Sequence, residues 1–239
     1  MSRSMKGVSK MPSQDRRRAT LIGVAVVLLI VLTAGPVAAV EAASATVPKE
    51  KIVLFNGTDF TGWKLFLPDA NADVAKTWSI SQGVLRCEGK PAGYMRTETP
   101  YADYHLHVEW RWPAKPGNNG VLVHTSGADK VWPRSLECQL QAGSAGDFWV
   151  IDGVETAQHA RGGSRVQGRR TIKLHDSSEK EPGQWNAYDI ICKDDWVVVL
   201  VNGTLQNVAT QCSERGGKTC LQSEGAAIEY RNLWIQPVE

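Results

Sequence analysis

The sequence predicts an all-β sandwich or jelly roll, on three observations. Short runs rich in β-branched and aromatic residues recur from about residue 50 onward, divided by Gly, Asn and Asp turn signals. No window in that region holds a helical period over three turns. Nine tryptophans fit as well, because large rings favour strands and fill the space between two sheets.

The N-terminus precedes this pattern. MSRSMKGVSKMPSQDRRR is basic and polar, Ala19 to Ala34 carries no charge, and the small residues of GPVAAVEAASA offer cleavage after Ala39, Ala42 or Ala45. That order predicts a secretory signal peptide within residues 1–45, a folded domain over 46–239, and an exported protein, periplasmic or extracellular. A retained membrane anchor is the rival reading. The strong apolar run falls short of the roughly 20 residues needed to span a bilayer and ends at Gly35-Pro36, so membrane association is expected only if the segment is kept. Residues 1–45 hold six basic and two acidic residues, so the rest of the chain changes from the full-length net charge of +2 to −2. Nothing in that balance points to nucleic acid.

The strands follow in order. KIVLF leads to Asn56-Gly57, TWSI to Ser81-Gln82-Gly83, and VLRCEG comes next. YHLHVEWRW, GVLVHTS, SLECQLQ and FWVIDGVE make up the middle of the chain. WNAYDIICK and WVVVLVNG form a hairpin through Lys193-Asp194-Asp195, and Asn202-Gly203 turns the second of these strands onward. IEYRNLWI closes the series. Ala157 to Gly183 is charged, Gly-rich and poor in apolar residues, and is expected to lie as a long loop over one face of the sandwich.

Five cysteines lie in these regions. Cys87, Cys138 and Cys192 sit inside apolar strand patterns and read as buried free thiols. Cys212 and Cys220 flank a polar loop and are expected to pair as a disulfide.

Alternation places chemistry on strand faces. In YHLHVEWRW, His107, Glu109 and Arg111 share the face opposite Tyr104, Leu106, Val108 and Trp110. In SLECQLQ, Glu137, Gln139 and Gln141 oppose Leu136, Cys138 and Leu140. If both polar sets line one sheet surface, they supply the planar donors and acceptors that sugars require. His124, preceded by Asn118-Asn119-Gly120, would join that face as a proton carrier or metal ligand, and Gln222, Glu224 and Arg231 would extend it. An ordinary wetted sheet face held by Glu–Arg pairs is the structural alternative.

The ordered segments LFNGTDFTGW, WSISQGVL, YHLHVEWR, NNGVLVH, LECQLQ, WNAYDI, VNG, CLQSEG and IEYRNLWI together resemble the 3-keto-disaccharide hydrolase family across about residues 50–237. The resemblance implies a concanavalin A-like, glucanase-like jelly roll of two antiparallel sheets. It also implies cleavage of glycosides already oxidised to a ketone at C3, through removal of the C2 proton, elimination and hydration. Under that reading Glu137, His124 and Arg111 are the expected catalytic residues. Gln139, Glu109, Asn119, His107 and Gln222 are the expected substrate contacts. No metal ligand set is evident, although a divalent cation could serve in place of Arg111. A separate sugar 3-dehydrogenase would supply the glycoside substrate. Retaining glucanases of similar fold carry Glu-x-Asp-x-x-Glu, whereas this chain reads Glu137-Cys138-Gln139-Leu140-Gln141-Ala142, which disfavours a two-carboxylate glycosidase. A lectin-like binding domain using Trp132 or Trp149, and a structural surface protein, are the competing classes.

Overall fold

The computed structural model describes residues 44–238. The expected signal segment therefore lies almost wholly outside the described residues. Among those described, no helix is long and apolar enough to cross a membrane.

The strands are β1 (Ile52–Val53), β2 (Trp63–Phe66), β3 (Trp78–Ser81), β4 (Val84–Cys87), β5 (Gly93–Thr97) and β6 (Tyr104–Arg111). Then come β7 (Gly120–Ser126), β8 (Arg134–Gln139) and β9 (Phe148–Ile151), a short helix α1 (Ala157–Arg161), and the hairpin β10 (Val166–Gln167) and β11 (Arg170–Thr171). The chain ends with β12 (Asn186–Lys193), β13 (Trp196–Val201), β14 (Thr204–Ala209), β15 (Lys218–Ser223) and β16 (Ile228–Pro237).

They form two sheets. The first runs β14-β13-β12-β6-β16-β4-β3, with β1 also paired to β16, and the second runs β10-β11-β9-β8-β7-β15-β5-β2. Each strand turns one set of alternate side chains inward. Tyr104, Leu106, Val108 and Trp110 of β6 meet Val121, Val123, Leu136 and Cys138 of β7 and β8 in one continuous core. Trp78, Trp110, Tyr104, Tyr188 and Tyr230 are essentially inaccessible to solvent. At roughly 25 cal/mol per Å² of apolar surface buried, such residues dominate the stabilisation. A second, smaller cluster of Tyr94, Leu122, Ile151 and Cys220 lies outside the sandwich, with Phe66 and Trp132 packed on it.

Two expectations change. The segment from Ala157 to Gly183 carries α1 and the β10–β11 hairpin, which extends the second sheet through β9. Asp147, fully buried, pins that hairpin by accepting from Arg170 Nε at 2.6 Å and from the Lys173 backbone N–H at 2.7 Å. The expected Cys212–Cys220 disulfide is absent, and all five cysteines are free and buried. Cys212 packs in the main core whereas Cys220 belongs to the outer cluster, where its neighbour is Thr125 Oγ1. Burial pushes the Cys87 thiol up to about 11 and those of Cys212 and Cys220 up to about 12. Such thiols hold their protons at neutral pH and react slowly. A thiol reagent should therefore leave the native protein unlabelled and modify all five cysteines once it is unfolded. Measurable labelling of Cys212 or Cys220 in the native state would contradict this arrangement.

Candidate functional site

A cleft of about 240 Å³ opens on the outer face of the second sheet. Its walls include Asn118, Trp132, Glu137, Gln139, Trp149 and Arg169. Cross-strand register builds the floor: Glu137 of β8 stands opposite Leu122 of β7 on one side and Trp149 of β9 on the other. Gln139 stands opposite Gly120.

Gly120 leaves room for the central group. A Cβ there would lie 2.6 Å from Glu137 Oε1 and closer still to Gln222 Oε1, so any larger residue would push both side chains out of this position. Glu137 and Gln222 thus converge over the bare backbone of β7. Both are buried, and neither Glu137 Oε1 nor the two amide atoms of Gln222 have a hydrogen-bond partner among the described residues. Buried polar atoms are normally satisfied, so such a group facing a cleft marks a place for a ligand. Burial, and then the negative charge of Glu224, raise the Glu137 carboxyl to about 8, while Arg169 works the other way. Burial also raises the Glu224 carboxyl, against a hydrogen bond from Asn118. Gln139 commits its side-chain oxygen to the backbone N–H groups of Leu140 and Gln141, both at 2.8 Å. Its NH₂ is what it can offer a ligand.

Local structure explains the walls. The loop between β7 and β8 is tied down by Asp129, which accepts from Tyr94 Oη at 2.9 Å, Arg96 Nε at 2.7 Å and Lys64 Nζ at 2.9 Å. Trp132 follows in that loop with φ of +60°, a conformation costing a bulky residue on the order of 1–3 kcal/mol. Opposite it, the turn of the β10–β11 hairpin delivers Arg169, whose guanidinium lies 5.6 Å from the Trp149 ring centre.

The two polar strand faces do not share a surface. β6 belongs to the first sheet and β8 to the second, so the whole core separates Arg111, Glu109 and His107 from Glu137. Those three are engaged locally. Arg111 donates to Glu229 at 2.7 Å and lies over Trp185. Glu109, expected as a substrate contact, instead accepts from Arg231 at 2.6 Å and from Asn232. His107 bonds Asp189 at 2.8 Å and stacks on Trp234.

His124 also leaves the site. The register of β7 shifts between Val123 and Ser126, and His124 takes φ of +53°. This bulge turns the ring inward against Tyr104, with Nδ1 3.0 Å from the Glu214 carbonyl oxygen. Burial holds its pKa down to about 4, so it stays neutral across the physiological range. Asn119 likewise faces the interior, accepting from Tyr230 Oη at 3.1 Å, and its neighbour Asn118 lines the cleft instead. Of the expected site residues, Glu137, Gln139 and Gln222 come together. Arg169 was missed, although Gly168 between two short alternating pairs was a turn signal that would have placed it. Among the described residues, no group of three or more His, Cys, Asp or Glu side chains gathers as a metal site.

Two antiparallel sheets packed face to face, with a polar cleft on one outer face, define a β-sandwich of the glucanase-like jelly-roll class. Residues 50–236 match the 3-keto-alpha-glucoside-1,2-lyase-like domain, and the chain belongs to that family. No curated protein matches it. Among solved structures, the chain is similar to a candidate glycosyl hydrolase from Parabacteroides distasonis ATCC 8503. That match has 23% identity and a TM-score of 0.56, covering 80% of this chain and 94% of the other. The Bacillus licheniformis beta-glucanase gives 15% identity and a TM-score of 0.55 over 80% and 99% of the chains. The carbohydrate-binding module CBM66 from Bacillus subtilis gives 10% and 0.52 over 72% and 93%. These likenesses establish a fold shared with carbohydrate-active proteins.

Burial of Glu137 has a measurable consequence for stability. Unfolded, the group loses its proton near pH 4.5; folded, it keeps it to about 8. Its contribution is therefore full below pH 4.5 and is lost as pH rises through 8. Glu137→Gln should leave stability near pH 4 little changed and raise it at pH 9, by on the order of 4 kcal/mol. Urea unfolding at the two pH values measures this, and equal effects at both would refute the burial.

Proposed function

We propose that the protein cleaves 3-keto-glycosides by elimination followed by hydration, with Glu137 as the base. The observation that carries this reading is a single buried carboxyl, raised to about 8, that converges with Gln222 over Gly120 without a hydrogen-bond partner. A ketone at C3 acidifies the hydrogen at C2. The ionised carboxylate takes that proton, and the C–H electrons move to the C3 oxygen as an enolate. When the enolate collapses, the C3 carbonyl re-forms, a double bond appears between C1 and C2, and the C1–O bond to the aglycone breaks. Glu137 then returns its proton to the departing oxygen, and water adds at C1.

One carboxyl suffices for both proton transfers, and its high pKa makes it a strong base near neutrality. Arg169 supplies the positive charge for the enolate oxygen, with the amide NH₂ groups of Gln139 and Gln222 as further donors. Arg169 thus takes the role expected of Arg111. The N-terminal segment supports an exported, periplasmic or extracellular setting, where a separate sugar 3-dehydrogenase would provide the keto-sugar.

A non-catalytic sugar-binding role is the second reading, favoured by Trp132 and Trp149 in the same cleft. Incubation with a 3-keto-glucoside and its unoxidised parent, with and without a chelator, separates the two. Release of the aglycone from the keto form alone is expected, with a rate rising through a pKa near 8. Glu137→Gln should lower kcat by about 100-fold or more, and Arg169→Met should lower it while moving the pH profile to higher pH, because the Arg169 charge holds the Glu137 pKa down. Saturable sugar binding without any product would move the protein to the binding role.

A further inference from the structure

The cleft has two chemically different ends, with Glu137 between them. Gln139 at the end of β8, and Gln141 just beyond it, lie on one side of Glu137, beside Asn118 and Glu224. On the other side, Ile151 of β9 stands opposite Ser135, and Trp132 packs on the apolar cluster to which Ile151 belongs. Leu122 and Tyr94, both buried, back this apolar end. The Asp129 clamp keeps it in place without a ligand: three side-chain donors hold the loop that carries Trp132.

The proposed reaction fixes how a substrate lies over these ends. The base acts at C2 and the bond broken is at the adjacent C1, so the sugar ring and the aglycone fall on opposite sides of Glu137. The ring carries hydroxyl groups around its edge and fits the end rich in amides and carboxyl oxygens. The aglycone then lies on Trp132 and Ile151, which offer it a flat apolar surface. We propose that the preferred substrate is a 3-keto-glycoside of a flat, apolar aglycone of the aryl class, in preference to a keto-disaccharide. This proposal rests on Glu137 being the base.

The test compares kcat/KM for phenyl 3-keto-glucoside, methyl 3-keto-glucoside and a 3-keto-disaccharide, each in both anomeric forms where the linkage allows. The expected result is a phenyl substrate favoured over the other two, by about two- to tenfold from seating one ring on another and further because phenoxide departs more readily than an alkoxide. Trp132→Ala, or the milder Ile151→Thr, should lower the phenyl-to-methyl ratio by about two- to tenfold, leaving only the part set by the easier departure of phenoxide. A preferred disaccharide, or a ratio unchanged in both variants, would overturn the proposal while leaving Glu137 as base. Quenching of tryptophan fluorescence by unoxidised phenyl and methyl glucosides reads the same surface without turnover. Tighter phenyl binding that is lost in the variants supports the apolar end, and equal binding of the two overturns it. Absence of turnover with every keto substrate would instead count against the base.

Discussion

The layer of aromatic and aliphatic side chains between the two sheets is the constraint on which the rest of the molecule depends. Each strand must commit alternate residues to that layer, and the remaining residues then point away from it on one of two opposite surfaces. Trp110 and Tyr104 enter the layer from β6, while Leu136 and Cys138 enter from β8. The polar partners of these two sets are therefore driven apart by the same packing that holds the sheets together. A site can use one outer surface only.

The two outer surfaces differ in whether every carboxyl on them finds a partner. On the first sheet the carboxylates all find partners: Glu229 with Arg111 and Arg86, Glu109 with Arg231, and Asp189 with two histidine rings. Burial works to raise the Asp189 carboxyl, yet its hydrogen bonds to His105 and His107 outweigh this and hold it well below the usual carboxylate range. Half-exposed pairs of this kind each contribute little to stability, but they leave no group seeking a partner. On the second sheet, Glu137 and Gln222 are placed at a cost and left unanswered. Proteins tolerate such groups chiefly where a ligand completes them.

Strand positions, the hairpin from β12 to β13, the Asn202-Gly203 turn and the inward sets of β6 and β8 were legible because the period of two is written directly in the residues. The grouping of Glu137, Gln139 and Gln222 was legible for the same reason. Sheet membership was not, since β6 and β8 carry equivalent patterns and only their pairing partners place them on opposite sides of the core. His124 was hidden by a bulge, which shifts the alternation without any glycine to announce it. Asn118 and Asn119 exchanged roles by one register step. Cys212 and Cys220 were close in sequence, but the core boundary between them decided the matter. The β10–β11 hairpin was obscured by strands of two residues, too short to show a period.

One feature of the topology bears on how the chain is made. β16 is the last strand of the sequence, yet it lies between β6 and β4 in the middle of the first sheet. Until its ten residues are available, the inner edges of those two strands have no neighbour and the sheet stays in two pieces. Completion of this sheet must therefore wait for β16 and proceed through long-range pairing, which is slow because distant segments must first meet. Until β16 arrives, the unpaired edges of β4 and β6 are exposed to chaperones and to strand-pairing errors alike.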